Sequence, residues 1–124
     1  MVLLDTNALL LPVQFGIDLF AELQRILGSY SPLILEGSLR ELERIGEGKG
    51  RDAAAARVGH ALAERCGVIH VQNTTIPVDE QIVHYADHSG CVVVTNDIAL
   101  KNKLMERGIR VIRIRKRKTL EISG

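Results

Sequence analysis

Short apolar runs alternate along this chain with longer stretches in which apolar positions recur every three or four residues. That alternation predicts βα units around a mostly parallel sheet. Val2-Leu3-Leu4 is the first run and reads as a strand. A loop carrying Pro12 and Gly16 follows, and residues 17–27 then read as a helix, because Ile17, Phe20, Leu23, Ile26 and Leu27 share one face. Gly28 stops that helix. Ser31-Pro32 opens a second strand at 33–35, and a helix starting at Ser38 places Leu39, Leu42 and Ile45 on one side. Gly46, Gly48 and Gly50 break the chain before an Ala-rich helix over 51–65, which Gly67 ends ahead of a third strand at 68–71. Pro77-Val78-Asp79 leads into a helix with Ile82, Val83 and Ala86 inward. Gly90 ends it, and residues 91–94 form the fourth strand. A helix over 97–107 turns Leu100 and Leu104 inward, with Gly108 as its cap. The fifth strand spans 110–114, where Val111, Ile112 and Ile114 alternate with Arg113 and Arg115 as near a sheet edge, and the tail 116–124 adds at most a short extension.

The first and fourth strands stop in the same way. Val2-Leu3-Leu4 runs into Asp5-Thr6-Asn7, and Val92-Val93-Val94 runs into Thr95-Asn96-Asp97. The carboxyl ends of parallel strands form the ligand crevice of an open α/β sheet, so two acids there can converge. Converging carboxylates repel one another unless a cation or proton sits between them. Glu41, one turn into the helix after the second strand, and Asp79, opening the helix before the fourth strand, fall at the same edge. Each acid also has an ordinary local reading. Asp5 suits an Asx turn, Asp97 and Asp79 suit helix N-caps, and Ser38-x-x-Glu41 has the spacing of a capping box. Helix N-termini attract acids in any case. Taken together, the four point to a hard divalent cation, Mg²⁺ or Mn²⁺, held by oxygen ligands and water. Such a site acidifies a water for attack on a phosphodiester and stabilises the leaving oxygen.

Composition narrows the class. The 124 residues suit one domain, 1–124, with an aliphatic core: 46% are apolar but only 3% aromatic. The net charge of +1 is uninformative, whereas Arg110, Arg113, Arg115, Lys116, Arg117 and Lys118 make the end of the chain basic from about residue 110. That run reads either as a solvated edge strand, where Lys and Arg discourage pairing, or as a phosphate-contacting surface. Phe15, Phe20, Tyr30 and Tyr85 are too few and scattered for a base-stacking platform. Cys66 and Cys91 follow no metal or redox spacing and read as buried, reduced thiols. Asp5 interrupts the first apolar run, so no signal peptide is expected, and no apolar stretch approaches membrane-spanning length. The expected location is cytoplasmic, with no membrane contact.

In order and spacing these residues resemble PIN-domain nucleases over almost the whole chain. Asp5-Thr6-Asn7 resembles the family's opening motif, Glu41-Leu42 its second acidic position, Val78-Asp79-Glu80 its third, and Val93-Val94-Thr95-Asn96-Asp97 with Leu100 its fourth. Gly108-Ile109-Arg110-Val111-Ile112 resembles its last strand. The helical insert of residues 46–65 and the basic end look closest to small archaeal or VapC-like PIN proteins. The resemblance implies an α/β fold, three-layer α/β/α, with a central, mostly parallel sheet of about five strands. It also implies a Mg²⁺- or Mn²⁺-dependent endoribonuclease with a toxin-type or ribosomal-RNA-processing role. RNA, an antitoxin or ribosome-assembly protein, and a second copy in a homodimer are the implied partners. In that reading Asp5, Glu41, Asp79 and Asp97 are catalytic. Asp5, Asp79 and Asp97 hold the metal or its waters, and Glu41 completes the shell or helps deprotonate the attacking water. Thr6, Asn7, Thr95 and Asn96 position the substrate or orient the acids. Lys49, Arg51, Arg113, Arg115 and Lys116 contact the RNA backbone. Glu36, where many members carry small or apolar residues, is read as exposed rather than as an auxiliary ligand.

Two further patterns carry less. Gly46-Glu47-Gly48-Lys49-Gly50 follows a helix and lacks the Ser/Thr of a phosphate loop, so it reads as a helix–helix connection. His84 and His88 share a helix face without a third zinc ligand and read as exposed. Against the nuclease stand two other classes. One is a catalytically inactive PIN-like module that binds RNA or protein, which needs the basic end but not the acids. The other is a receiver or nucleotide-binding domain, which the missing late-strand Lys disfavours.

Overall fold

The computed structural model of the protein describes residues 1–72, 74–115 and 119–123. Six strands form one sheet in the order β3-β2-β1-β4-β5-β6. They are β1 (Val2–Leu4), β2 (Pro32–Leu35), β3 (Gly67–Ile69), β4 (Val92–Val94), β5 (Val111–Arg115) and β6 (Thr119–Ser123). The first five are parallel, with Leu3 of β1 opposite Leu33 of β2 on one side and Val93 of β4 on the other. β6 runs antiparallel to β5, Ile112 facing Ile122. Chain order moves outward from β1 through β2 to β3 and then returns to its other side at β4, so the topological switch point lies beside β1.

Among the described residues six α-helices cover the sheet: α1 (Leu11–Phe15), α2 (Leu19–Leu27), α3 (Glu36–Gly46), α4 (Arg51–Leu62), α5 (Val78–Ser89) and α6 (Ile98–Glu106). Strand side chains alternate between the two faces, and β1 shows the result. Val2 and Leu4 join one buried cluster with Leu11, Leu23, Leu42 and Ala56 of α1 to α4. Leu3 joins the other with Ile82, Ala86, Leu100 and Leu104 of α5 and α6. The fold is the expected three-layer α/β/α, and its core is mainly aliphatic, with Phe20 buried among Leu, Ile, Val and Ala side chains. Cys66 and Cys91 are buried free thiols, as expected. Among the described residues no helix is long and apolar enough to cross a membrane.

The structure departs from the sequence reading in five places. Residues 6–15 are helical rather than a loop: a 3₁₀ turn over Thr6–Leu10 leads into α1. Pro12 lies in the first turn of α1, where its missing N–H is not needed, and Gly16 closes the helix in the left-handed region at φ 64°. α2 begins only after Asp18, whose side chain accepts from the Ala21 N–H at 3.2 Å.

α3 starts at Glu36, not Ser38, and the Ser38–Glu41 capping box does not form, because Ser38 is already inside the helix and buried. Small residues are needed there: a Cβ on Gly37 would stand 2.9 Å from Val78 Cγ2 of α5. Gly67 lies within β3 instead of ending a helix. α4 stops at Leu62, a 3₁₀ turn follows, and the parallel register with β2 sets the strand at 67–69.

Finally, the tail forms β6, so the sheet has six strands among the described residues and β5, near the edge as expected, is covered by one more strand. The outer edge of β6 is itself clasped by α2. Glu22 Oε1 accepts from the Leu120 N–H at 3.1 Å, and Arg25 donates to the Leu120 carbonyl at 3.0 Å. This removes two backbone groups that a bare edge would offer to another chain. Of the basic run, Lys116, Arg117 and Lys118 lie outside the described residues.

Candidate active site at the carboxyl end of the sheet

Asp5 follows β1 directly, and its backbone N–H donates to the Val94 carbonyl at 3.0 Å, which fixes it beside the end of β4. One carboxylate oxygen accepts from the Thr6 N–H at 2.7 Å and the other from the Thr95 hydroxyl at 2.9 Å. The Thr95 oxygen in turn accepts from the Asp97 N–H at 3.1 Å. Asp97 caps α6 through Oδ1, which accepts from the Leu100 N–H at 3.1 Å. A second tie crosses the same gap, where Asn7 Oδ1 accepts from the Asn96 N–H at 3.0 Å. The two matching strand ends are thus locked to each other by side chains.

Asp5, Glu41, Asp79 and Asp97 line one cavity of about 400 Å³, together with Thr6, Asn7 and apolar residues that include Leu10, Val78 and Leu100. Among the described residues no Lys or Arg lines it. Asp5 is only 8% exposed, and its pKa is raised from an ordinary 3.8 to about 6. Burial is the main cause; the bonds from Thr95 and Thr6 oppose it, and the charges of Glu41 and Asp97 add to it. Glu41 is half-exposed on α3, 3.8 Å from Arg44. Asp79, in the first turn of α5, is not an N-cap, and its carboxylate pairs with Lys103 of α6 at 3.3 Å. The Thr6 hydroxyl is buried without a hydrogen-bond partner among the described residues.

The remaining sequence candidates fall into two groups. Thr95 is 1% exposed, and its hydroxyl is engaged by Asp5 and the Asp97 N–H, so it ties the two acids together. Asn7 and Asn96 brace the loops. Lys49 is exposed in the connection between α3 and α4, which is the helix–helix link expected there, and Arg51 reaches the Gln14 carbonyl at 3.4 Å; neither lines the acidic cavity. Arg113 and Arg115 share Glu121 of β6, at 3.3 and 2.9 Å. Lys116 lies outside the described residues. Glu36 is half-exposed and held by Arg40 and His70, away from the acids. His84 and His88 are exposed on α5. Lys103 was not anticipated. Nothing in its local spacing marks it, since its contact with Asp79 depends on how α5 and α6 pack.

The donor set suits a hard cation: carboxylates and neutral oxygens, with no thiolate or imidazole. No three of the described His, Cys, Asp and Glu side chains are grouped closely enough to hold a metal ion by themselves.

The chain resembles known proteins along nearly all of its length. Ribonuclease VapC4 of Methanocaldococcus jannaschii is 35% identical over 125 residues, covering 97% of this chain and 94% of that protein. Ribonuclease VapC9 of Archaeoglobus fulgidus is 30% identical over 109 residues, covering 86% and 77%. Among solved structures, the PIN domain endonuclease Utp24 superposes with a TM-score of 0.81 at 28% identity, covering 98% of this chain and 90% of that one. The family model described as a PIN like domain matches residues 2–117. A β1–β4 switch point carrying Asp5 and Asp97, the three-layer fold and a match of that length together make this chain a member of the PIN-like domain family.

Proposed function

We propose that this protein is a Mg²⁺- or Mn²⁺-dependent endoribonuclease. The observation that carries this reading is the cavity at the switch point, which four carboxylates line and, among the described residues, no Lys or Arg lines. An acidic cleft of that kind repels RNA unless a cation is bound, so the cation and the substrate are linked. The relatives support the chemistry, two being named ribonucleases and the third titled an endonuclease.

The bound cation would polarise the scissile phosphate and make a water acidic enough to attack it. The chain's own part is positional. Thr6 and Thr95 fix both oxygens of Asp5, which is held nearly out of solvent. Asp97 is fixed through its N–H and its capping oxygen. Asp5, Asp79 and Asp97 would hold the ion or its waters. Glu41, the most loosely held of the four, is the residue free to take a proton from the attacking water. Because Thr95 joins Asp5 to the Asp97 backbone, these two acids keep their relative placement before substrate arrives, and preorganised groups need little rearrangement during reaction.

The test is cleavage of an oligoribonucleotide. EDTA is expected to abolish it, and Mn²⁺ or Mg²⁺ to restore it. Cleavage persisting in the Asp5→Asn, Asp97→Asn double variant would sink the proposal, and RNA binding without cleavage under any metal would favour the inactive module. A subtler effect is expected at Asp79, where Lys103 competes with the cation. Exposed ion pairs are worth about 0.2–1 kcal/mol, so Lys103→Met should lower the half-saturating Mn²⁺ concentration by roughly two- to fivefold. Titration calorimetry would check this. A weaker Mn²⁺ affinity in that variant would show that Lys103 supports the site instead.

A further inference from the structure

Asp97 lines a second, smaller cavity of about 190 Å³ on its other side, which Lys101 and Arg113 also line, with Asn96, Ile98 and Ile114. We infer that this cavity is the subsite for the backbone phosphate of the nucleotide next to the scissile bond, on single-stranded RNA. The inference rests on the nuclease reading and adds where the chain of the substrate runs.

The two cavities meet at Asp97 and have opposite electrostatics. The first presents four acids and no base, and the second presents two cations against one acid. Lys101 is one turn beyond Asp97 on α6 and therefore on the same helix face. It is half-buried and forms no ion pair with a described residue, whereas Lys103 is tied to Asp79 and Arg107 to Asp87. Arg113 is only partly neutralised, because one carboxylate, Glu121, serves both it and Arg115. An uncommitted positive charge in a concave site beside the acids is what a polyanion needs to continue past them. Ile98, 70% exposed at the start of α6, and Ile114 supply an apolar wall for a sugar or base. A polymer with one negative charge per residue fits both cavities at once, with one phosphate facing the acids and their cation and the neighbouring phosphate facing Lys101 and Arg113.

The experiment is steady-state cleavage of an oligoribonucleotide by wild type, Lys101→Ala, Lys101→Arg and Arg113→Ala over a range of salt concentrations. Binding of a fluorescent oligoribonucleotide is followed in parallel. Lys101→Ala is expected to raise KM by about tenfold, the order expected for one charge-assisted hydrogen bond. Its effect on kcat should be far smaller. The slope of log KM against log salt should fall by about 0.7, as for one lost contact on a single strand. Lys101→Arg should restore both, and Arg113→Ala should lower the slope in the same way. A merely structural role for Lys101 would leave the salt slope untouched. Wild type that cleaves with a salt dependence which Lys101→Ala and Arg113→Ala leave unchanged overturns the subsite but not the nuclease. Wild type that binds RNA through Lys101 without cleaving it keeps the subsite and overturns the nuclease. Neither binding nor cleavage overturns both.

Discussion

Asp5→Asn is expected to abolish RNA cleavage while making the metal-free protein harder to unfold at pH 8. On the proposed mechanism Asp5 serves the cation, and removing such a group costs several kcal/mol of transition-state stabilisation, a loss of at least about 10²-fold in rate at 1.36 kcal/mol per decade. The stability effect has the opposite sign because of where Asp5 sits. Its folded pKa of about 6 exceeds the ordinary 3.8. Between those values the folded state holds a proton that the unfolded state has released, so stability falls as pH rises through this window. Above pH 6 the full penalty applies, up to about 3 kcal/mol at 1.36 kcal/mol per pH unit. Asn carries no charge to desolvate, and its carbonyl oxygen still accepts from the Thr6 N–H while its amide faces the Thr95 hydroxyl. Thermal melts in EDTA should therefore rank the variant several degrees above wild type at pH 8, with the gap closing toward pH 4. Mn²⁺ should reverse the order by stabilising wild type through binding. A variant that cleaves normally, or one that melts below wild type at pH 8 in EDTA, contradicts this account.

The second large effect is expected at Gly59, far from any acid in sequence. A Cβ there would lie 2.4 Å from the Leu9 carbonyl oxygen and 3.0 Å from its carbon. Both are backbone atoms, so no side-chain rotation relieves the clash. Ala is favoured over Gly in a helix by about 0.5–1 kcal/mol, and overpacking a tight interface costs about 1–3 kcal/mol or more. The clash wins, and Gly59→Ala should lose roughly 2 kcal/mol in denaturant unfolding. Ala61→Gly, exposed on the same helix, should lose no more than about 1 kcal/mol. Leu9 belongs to the 3₁₀ turn that leaves Asp5 and contains Asn7. Displacing it should also lower cleavage by the fraction of protein that remains folded. Wild-type stability in Gly59→Ala would mean that α4 can slide away from the turn freely.

What could be read before the structure was known divides along a physical line. The acids at strand ends were legible because a short apolar run followed by Asp marks a definite place in a parallel sheet, as at Leu4–Asp5. Periodicity similarly exposed α2, α5 and α6. Residues 6–15 were not legible, because a 3₁₀ turn has no amphipathic repeat of useful length and Pro12 looks like a breaker when it is in fact a first-turn residue. Ser38-x-x-Glu41 misled because capping boxes are recognised from local sequence, whereas the demand for a small residue at Gly37, in the first turn of a helix that already includes Ser38, is set by α5, some forty positions away. β6 was hidden behind the basic run, and the groups that secure it, Glu22 and Arg25, lie nearly a hundred residues earlier. Lys101 and Lys103 show the same limit at the site: their surroundings belong to other elements.

The order in which β1 finds its neighbours has a consequence for synthesis. β1 is made first, yet one of its two partners, β4, begins at residue 92, and the Thr95 hydroxyl that holds Asp5 comes later still. Until the ribosome has released that part of the chain, Asp5 has no Asp97 beside it and no Thr95 to hold it. On the proposed function, a molecule made only as far as β3 therefore lacks the paired acids that cleavage requires. The distance along the chain between the two strand ends acts as a timer, and the acidic cavity can close only after residue 97 has been made.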